Sequence, residues 1–299
     1  MEIPIHLQKK LITLHGHKAE QWLLEFPKTL QDVTTTWQLT DIEIHPTLSY
    51  NFIAFASSDT HGDVVLKLGV PSNEQNTEIK LLNEYNGGGA CRLIDYNIIL
   101  GALLLKRIIP GKDLRSVKSL TERINITSDI INQTSLAQNA LVKIPTYSTW
   151  LSNAFEKLRD KKDNNVKLLE LFNKAGKLYY EIYSLNLHQF ISQGDLHHCN
   201  ILFDDSDKSW KSIDPQGVVC IKAFSPVVFM RNELEFSDRN DNKELLEEMT
   251  NQFSEKLNEP EELITKCFFI NNVLSIAWED EDGNEVSESV EELMEFSII

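Results

Sequence analysis

Residues 193–203, QGDLHHCNILF, gather a carboxylate, two imidazoles, a thiol and an amide directly before an apolar, strand-like stretch. Such a set could form a zinc site, a cysteine nucleophile with its base, or a loop that handles phosphate through magnesium. Zinc is disfavoured, because His197, His198 and Cys199 are adjacent and splay apart, and no second ligand pair follows at zinc spacing. No nucleophile motif surrounds Cys199 either, and we interpret the two histidines as packing residues of the loop.

The phosphate interpretation agrees best with the spacing of the polar residues. Asp195-Leu196 followed by Asn200 matches D-L-x-x-x-N, a kinase catalytic-loop pattern in which the aspartate accepts a hydroxyl proton and the asparagine holds magnesium. Asp214 comes 14 residues after Asn200, where a second predicted strand ends and a second magnesium ligand is required. The structural alternative is that Asp195 caps a turn and Asn200 bonds only to backbone.

Phosphoryl transfer also needs a cation on the nucleotide phosphates. Lys67 lies inside the apolar strand-like segment 63–70, where a lone lysine is destabilising unless it is paired. The following segment, 72–85, has helical spacing of apolar residues, and its Glu78 is the expected partner, with Glu74 one turn earlier as a rival. The alternative for Lys67 is a position on an edge strand that points to solvent.

The negative charge of the chain is concentrated in its C-terminal part. The formal net charge is −16, and residues 232–299, with 4 Lys/Arg against 20 Asp/Glu, account for all of it. Nucleic acid is a poor partner, because phosphate binding needs a basic surface. An acidic region could attract a cationic small molecule, although solvated helix faces would have the same composition. The carboxylates that come first after the proposed catalytic strands are Glu233, Glu235, Asp238 and Asp241, and of these Glu233 and Glu235 are predicted to bind a cationic acceptor.

Composition indicates a soluble globular protein without a membrane partner. The chain has 299 residues, 41% hydrophobic and 25% charged, and its longest apolar run is too short to span a bilayer. The N-terminal segment does not have the pattern of a signal peptide. The four cysteines are far apart, which favours reduced thiols and a cytoplasmic location. We expect a monomer or a dimer.

Five stretches together resemble the aminoglycoside phosphotransferases, in particular the streptomycin 6-kinase and hydroxyurea kinase branch. They occur in matching order between about residues 45 and 283: VVLKLGVP, ACRLIDYNIILGALLLKRIIPG, QGDLHHCNILF, SIDPQG and NNVLSIAWEDEDG. The resemblance implies an α+β, protein-kinase-like bilobal fold with a five-stranded antiparallel N-lobe and a mainly helical C-lobe. Residues 1–105 would form the nucleotide-binding lobe with a helical extension, and 106–299 the hinge and the C-terminal lobe.

The resemblance also assigns roles to individual residues, with ATP and Mg²⁺ as cofactors. Asp195 would be the catalytic base, and Asn200 and Asp214 the metal ligands. Lys67 would bind the α and β phosphates and Glu78 would orient it. A hinge formed by Lys106, Arg107 and Ile108 would receive adenine through backbone groups. Ser49 and Asn51 would reach the phosphates from the nucleotide loop.

The expected activity is ATP-dependent phosphorylation of a hydroxyl group on a small molecule, with an aminoglycoside such as streptomycin first in rank. The alternatives are a kinase of another antibiotic or metabolite, hydroxyurea included, and a nucleotide-binding pseudokinase or interaction module. One departure from the family pattern bears on this choice, because Gln193 replaces the histidine that usually stands two residues before the catalytic aspartate. Another is Lys106, at a hinge position where this branch commonly has an acidic residue.

Overall fold

The structure is a computed structural model that describes residues 1–138, 144–161, 165–237 and 241–295. The chain divides into two compact units. Unit 1 contains Met1–Lys112 and Leu202–Gln216, and unit 2 contains Asp113–Ile201 and the described residues from Gly217 onward. No sequence pattern indicated that residues 202–216, which follow the proposed catalytic loop, would belong to the first unit.

Unit 1 is built on a five-stranded sheet with the strand order β1-β2-β3-β5-β4, in which every neighbouring pair is antiparallel. Its strands are β1 (Leu39–Ile44), β2 (Phe52–Ser58), β3 (Gly62–Leu68), β4 (Leu93–Asn97) and β5 (Ala102–Lys106). Its helices are α1 (Ile5–His15), α2 (His17–Thr36) and α3 (Asn73–Tyr85). A three-stranded sheet, mostly in this unit, has the order β10-β9-β6 and consists of β6 (Pro110–Asp113), β9 (Ile201–Asp204) and β10 (Ser209–Ser212).

The N-terminal helices cover one face of the large sheet. Trp22, Phe26 and Val33 recur at helical spacing along α2 and are buried, and the ring of Phe26 lies 5.0 Å from that of Phe52 in β2. Each such apolar side chain contributes about 2 kcal/mol when it leaves water. Because side chains alternate across a strand, Leu66 and its even-numbered neighbours in β3 point to these helices, and Lys67 points to the opposite face.

Helix α3 begins and ends at residues that local chemistry explains. The Ser72 hydroxyl accepts a hydrogen bond from the Gln75 amide, as an N-cap serine does. Asn86 closes the helix in the left-handed conformation at φ 45°. The buried face of α3 includes Ile79, Leu82, Tyr85 and Glu78, so this carboxylate is on the packed side of the helix.

Unit 2 is mainly helical. Its helices are α4 (Leu120–Thr134), α5 (Tyr147–Asp160), α6 (Val166–Ser184), α7 (Val227–Phe236), α8 (Asn242–Leu257), α9 (Glu261–Glu281) and α10 (Ser287–Glu295). Helix α9 is apolar around most of its circumference and is the central helix, in contact with α5, α6, α7, α8 and α10. A small antiparallel sheet, β11-β8-β7, consists of β7 (Leu136–Ala137), β8 (Phe190–Ser192) and β11 (Val218–Cys220). Within the described ranges, no helix combines the length and the apolar character that crossing a bilayer requires.

An antiparallel sheet with packed helices in the first unit and a mainly helical second unit confirm the α+β class expected from the sequence.

Candidate active site

Lys67 is the penultimate residue of β3 and is only 5% exposed. Its neighbours across the sheet are Ile53 in β2 and Leu103 in β5, so its ammonium group cannot remain hydrated by pointing along an edge. The Nζ atom donates to both carboxylate oxygens of Glu78, at 2.7 and 2.8 Å. Glu78, and not Glu74, is therefore the partner, and the pairing offsets the desolvation of both charges.

Asp214 is a third member of this group. The Lys67 Nζ also donates to its Oδ1 atom, although 147 residues separate the two in the chain. Burial by itself would lower the pKa of Lys67, but the carboxylates of Glu78 and Asp214 outweigh burial and raise it, which keeps the lysine cationic. The Asp214 side chain is 54% exposed, in contrast to Glu78, and so can exchange its partner for a ligand from solvent.

The backbone at Asp214 has the left-handed value φ 53°, which few residues other than glycine, asparagine and aspartate adopt. The strand before it, β10, is anchored by the glycine-rich turn that follows α3. The Ser212 amide and hydroxyl both donate to the carbonyl of Gly89, and the Cys91 amide donates to the carbonyl of Ser212 at 2.8 Å. The turn thus fixes the position of the strand end two residues before Asp214, a role that sequence reasoning missed.

In unit 2 the residues of the predicted catalytic loop follow β8. The side-chain oxygen of Gln193 accepts a hydrogen bond from the Asp195 amide at 2.6 Å, and its carbonyl accepts one from Gly217 at 2.8 Å. Gln193 is 1% exposed. The amide side chain of Gln193 therefore holds the backbone of Asp195 in place.

Asn200 is bonded to the same aspartate. Its Nδ2 atom donates to the Asp195 carbonyl at 3.0 Å and is 3.4 Å from the Oδ2 atom. A single turn of 3₁₀ helix, His198–Asn200, connects the two, and His197 stabilises it by accepting the Cys199 amide at Nδ1. These contacts of Nδ2 orient the side-chain oxygen of Asn200 relative to the carboxylate of Asp195, the base predicted from the sequence.

The donor types suit magnesium better than zinc. Asn200 and Asp214 offer amide and carboxylate oxygens, which Mg²⁺ prefers, and such sites commonly use one or two protein carboxylates and complete the shell with nucleotide phosphates and water. Among the described residues, no group of three or more His, Cys, Asp or Glu side chains is arranged to hold a metal ion. By donor type, each of these two residues would suit magnesium.

The carboxylates predicted to attract a cationic acceptor differ in their surroundings. Glu233 in α7 is 6% exposed and already bonded: it accepts from the Arg123 guanidinium, with Nε to Oε2 at 2.9 Å, and its Oε2 lies 2.8 Å from His198 Nε2. Glu235 is half-exposed, and its Oε1 atom lies 3.8 Å from Arg231 Nε. Asp241 caps the start of α8, and Asp238 lies outside the described residues.

The pairing of Glu233 predicts a pH-dependent contribution to stability. Burial by itself would raise the pKa of Glu233, but the hydrogen bonds from His198 and Arg123 hold it below its ordinary value of 4.5. A carboxyl with a lowered folded-state pKa stabilises the protein above the ordinary pKa, and this stabilisation is lost as the pH falls through the lowered value. In urea unfolding, the stability difference between wild type and Glu233→Gln should shrink as the pH falls below about 4.5. A difference that stayed constant to pH 3.5 would contradict the assigned pairing.

The remaining predicted nucleotide contacts lie near the end of β5 and the start of β2 in the large sheet. The Lys106 amide donates to the Arg92 carbonyl at 2.9 Å and the Arg107 amide to the Asp63 carbonyl at 3.1 Å, so both hinge N–H groups are bonded within unit 1. Ile108 follows them in the segment that leads to β6.

Of the two residues predicted in the phosphate loop, Ser49 is exposed. The side chain of Asn51 lies against Gly69, where an added Cβ would come within 2.2 Å of Asn51 Oδ1. Nucleotide contacts for the hinge and loop residues stay predictions.

Most of the chain matches a known protein family. Residues 37–283 match the family model described as aminoglycoside/hydroxyurea antibiotic resistance kinase. A streptomycin 6-kinase from Streptomyces glaucescens is 23% identical over 227 residues, which is 72% of this chain and 70% of that protein.

Two solved structures illustrate the likeness of the fold. The choline kinase LicA from Streptococcus pneumoniae has a TM-score of 0.66 at 12% identity, with 90% of this chain and 95% of that chain covered. The amicoumacin kinase hAmiN, solved in complex with AMP-PNP, Ca²⁺ and Ami, has a TM-score of 0.62 at 12% identity, with 89% and 91% covered. The protein-kinase-like fold is thereby confirmed. With more than half of its length matched by the family model, the chain belongs to the aminoglycoside/hydroxyurea antibiotic resistance kinases and is a small-molecule kinase.

Proposed function

We propose that this kinase transfers the γ-phosphoryl group of ATP to a hydroxyl group of a cationic, aminoglycoside-type antibiotic, with streptomycin as the first candidate. The observation that carries the proposal is the buried Lys67, whose ammonium group is held by Glu78 and by the half-exposed Asp214. A lysine fixed in this way provides a positioned charge for nucleotide phosphates. Membership of the family and the streptomycin 6-kinase relative support the acceptor class.

The nucleotide is bound, in this proposal, mainly by residues of unit 1. Lys67 binds the α and β phosphates. Backbone groups of residues 106–108 other than the bonded amides of Lys106 and Arg107 receive adenine. Ser49 and Asn51 contribute to the phosphate loop. Asp214 and Asn200 would be the residues that hold Mg²⁺, and the ion would supply positive charge to neutralise the phosphates. The AMP-PNP and Ca²⁺ in the hAmiN structure support a site for a nucleotide with a divalent cation.

Asp195 acts as the base. Its carboxylate accepts the proton of the acceptor hydroxyl while the hydroxyl oxygen forms a bond to the γ-phosphorus and the bond from that phosphorus to the β–γ bridging oxygen breaks, which releases ADP. Transfer requires the phosphate-binding residues and Asp195 to act on the same ATP. Little covalent chemistry falls to the protein, so positioning and charge neutralisation provide most of the rate gain.

The metal role of Asp214 is tested by ligand-dependent melting. ATP binds only the native protein, so it should raise the melting temperature, and the rise should be larger with Mg²⁺ than with ATP and EDTA. In Asp214→Ala the magnesium-dependent part of the rise should disappear, because a ligand of the metal has been removed. Differential scanning fluorimetry with and without EDTA measures this directly.

Asp205→Ala is the matched control, because Asp205 is an exposed aspartate on the β9–β10 turn that pairs with Lys208. This variant should keep the full magnesium-dependent rise. If Asp214→Ala also kept the magnesium-dependent rise, Asp214 would not be a metal ligand.

A cationic acceptor should respond to salt. Its ammonium or guanidinium groups would be attracted by the acidic C-terminal region, and ions screen this attraction with a Debye length of about 8 Å near physiological ionic strength. We therefore expect KM for streptomycin to rise several-fold as salt increases, and KM for ATP to change less. Glu235→Gln should raise the acceptor KM further, whereas we leave Glu233 out of the acceptor site because its carboxylate is bonded internally.

Glu262→Gln removes the same charge from an exposed residue that pairs with Lys266 in α9 and should leave the acceptor KM unchanged. If the two substitutions changed the acceptor KM equally, or if this KM did not depend on salt, the acidic region would be only a solvated surface.

Hydroxyurea is the second candidate, because the matched family includes hydroxyurea kinases by its description. It is neutral, so its kinetics should be nearly insensitive to salt and to Glu235→Gln. Incubation with ATP, magnesium and a mixed panel of antibiotics and metabolites, followed by a mass-spectrometric search for a phosphate-sized gain, decides between the acceptors. Phosphorylation of a neutral compound alone would overturn the aminoglycoside assignment.

A further inference from the structure

His198 lies between the proposed base Asp195 and Asn200 and is 2% exposed. Its ring stacks on Phe229 of α7, with centroids 4.4 Å apart and planes 20° from parallel. The Nε2 atom lies 2.8 Å from an oxygen of Glu233, one helical turn further along α7. A phenylalanine or leucine could fill this space, so packing alone does not explain an imidazole here.

The Glu233 carboxylate beside this imidazole is itself held in place. Arg123 of α4 binds the Glu233 carboxylate through Nε and Nη2, and its Nη1 atom donates to the carbonyls of Val117 and Lys118 at 2.7 and 2.9 Å. The guanidinium is thus tied to the backbone that leads into α4. Arg123, Glu233 and His198 form a chain of hydrogen bonds from α4 through α7 to the catalytic loop.

The bonding of His198 is directional. Because Glu233 is held by Arg123 as a carboxylate, which can only accept hydrogen bonds, the bond runs from an Nε2–H of His198 to Glu233 Oε2. The Nδ1 atom is buried and has no hydrogen-bond partner within the described part of the chain. One charge-assisted hydrogen bond and one ring stack therefore fix the position of His198, which follows the proposed base Asp195 by three residues.

We infer that the Arg123–Glu233–His198 chain positions the catalytic loop for phosphoryl transfer, so that these three are positioning residues. The inference rests on the proposed function of Asp195 and Asn200. The sequence suggested Glu233 as a residue that binds the acceptor, whereas in this inference it positions the catalytic loop. Because a small displacement of a reacting group lowers the rate steeply, loosening the loop should reduce kcat more than it changes substrate binding.

Two measurements on the full-length protein test this. Hydrogen–deuterium exchange without nucleotide reports on the loop amides of Asp195, Cys199 and Asn200, which donate to Gln193 or His197. In His198→Ala these amides should exchange at least about tenfold faster, and kcat should fall at least about tenfold while KM for ATP stays within about twofold. Glu233→Gln should act in the same direction.

His198→Gln keeps a donor near the Nε2 position and should restore more than half of the wild-type kcat and slow the loop exchange again. The control for general destabilisation is Asp280→Asn, which neutralises a carboxylate of α9 paired with Lys161 at 2.6 Å. It should leave both the loop exchange and kcat unchanged even where it lowers the melting temperature.

Unchanged loop exchange in His198→Ala, or a kcat within about twofold of wild type, would overturn the inference. So would an equal effect of Asp280→Asn. The exchange measurement needs no turnover, so it also decides the matter if no acceptor is phosphorylated, an outcome that would count against the proposed function alone.

Discussion

Asp195→Asn is expected to lower kcat by at least about 100-fold and to leave the affinity for ATP nearly unchanged, since loss of general-base help has this magnitude. Asparagine has the same shape as aspartate but cannot accept the hydroxyl proton. The hydrogen bonds that hold the backbone of residue 195, from its amide to Gln193 and from Asn200 to its carbonyl, do not involve the substituted atoms. Steady-state kinetics of ADP release, combined with calorimetric ATP binding, separates the two effects.

His197→Ala serves as the control, because His197 Nε2 lies 3.8 Å from Asp195 Oδ2 but we assign it to loop packing. It should reduce kcat much less than Asp195→Asn does. Retention of more than about a tenth of the wild-type kcat in Asp195→Asn would mean that another group accepts the proton. An equal loss in His197→Ala would identify the imidazole as part of the proton path.

Lys67→Met should abolish ATP binding and also lower the free energy of unfolding by about 3 to 5 kcal/mol, because it leaves the buried carboxylate of Glu78 without its cation. Asp214 loses the same partner but is half-exposed and can be hydrated instead. The double variant Lys67→Met/Glu78→Leu removes both buried charges and should recover most of the lost stability, since apolar replacement of a buried pair is often neutral. It should still bind no ATP.

The double variant thus separates the stability of the pair from its proposed function. Lys208→Met is the comparison for an exposed pair, since Lys208 and Asp205 form a surface ion pair, and it should change the free energy of unfolding by less than about 1 kcal/mol. Urea unfolding and nucleotide titration measure both quantities. ATP binding by the double variant at wild-type affinity would show that Lys67 is only structural.

Several parts of this protein follow from the sequence alone, because they depend on neighbours in the chain. Ser72 caps α3 through the amide of Gln75, three residues away, and helical spacing places Ile79, Leu82 and Tyr85 on one buried face. Strand alternation assigns Lys67 to the face of β3 opposite its apolar neighbours. The loop from Asp195 to Asn200 is equally local, since its residues bond to one another across five positions or fewer.

Other parts depend on side chains that only the folded chain brings together. The choice of Glu78 over Glu74 depends on which side of α3 packs on the sheet. The contact of Lys67 with Asp214 spans 147 residues, and that of Arg123 with Glu233 spans 110, so no periodicity relates their positions in the sequence. In the sequence, Glu233 is one acidic residue among many. In the fold, Arg123 and His198 lie beside it and make it a buried, hydrogen-bonded carboxylate. A carboxylate is stable away from water only where cations and hydrogen-bond donors replace the water.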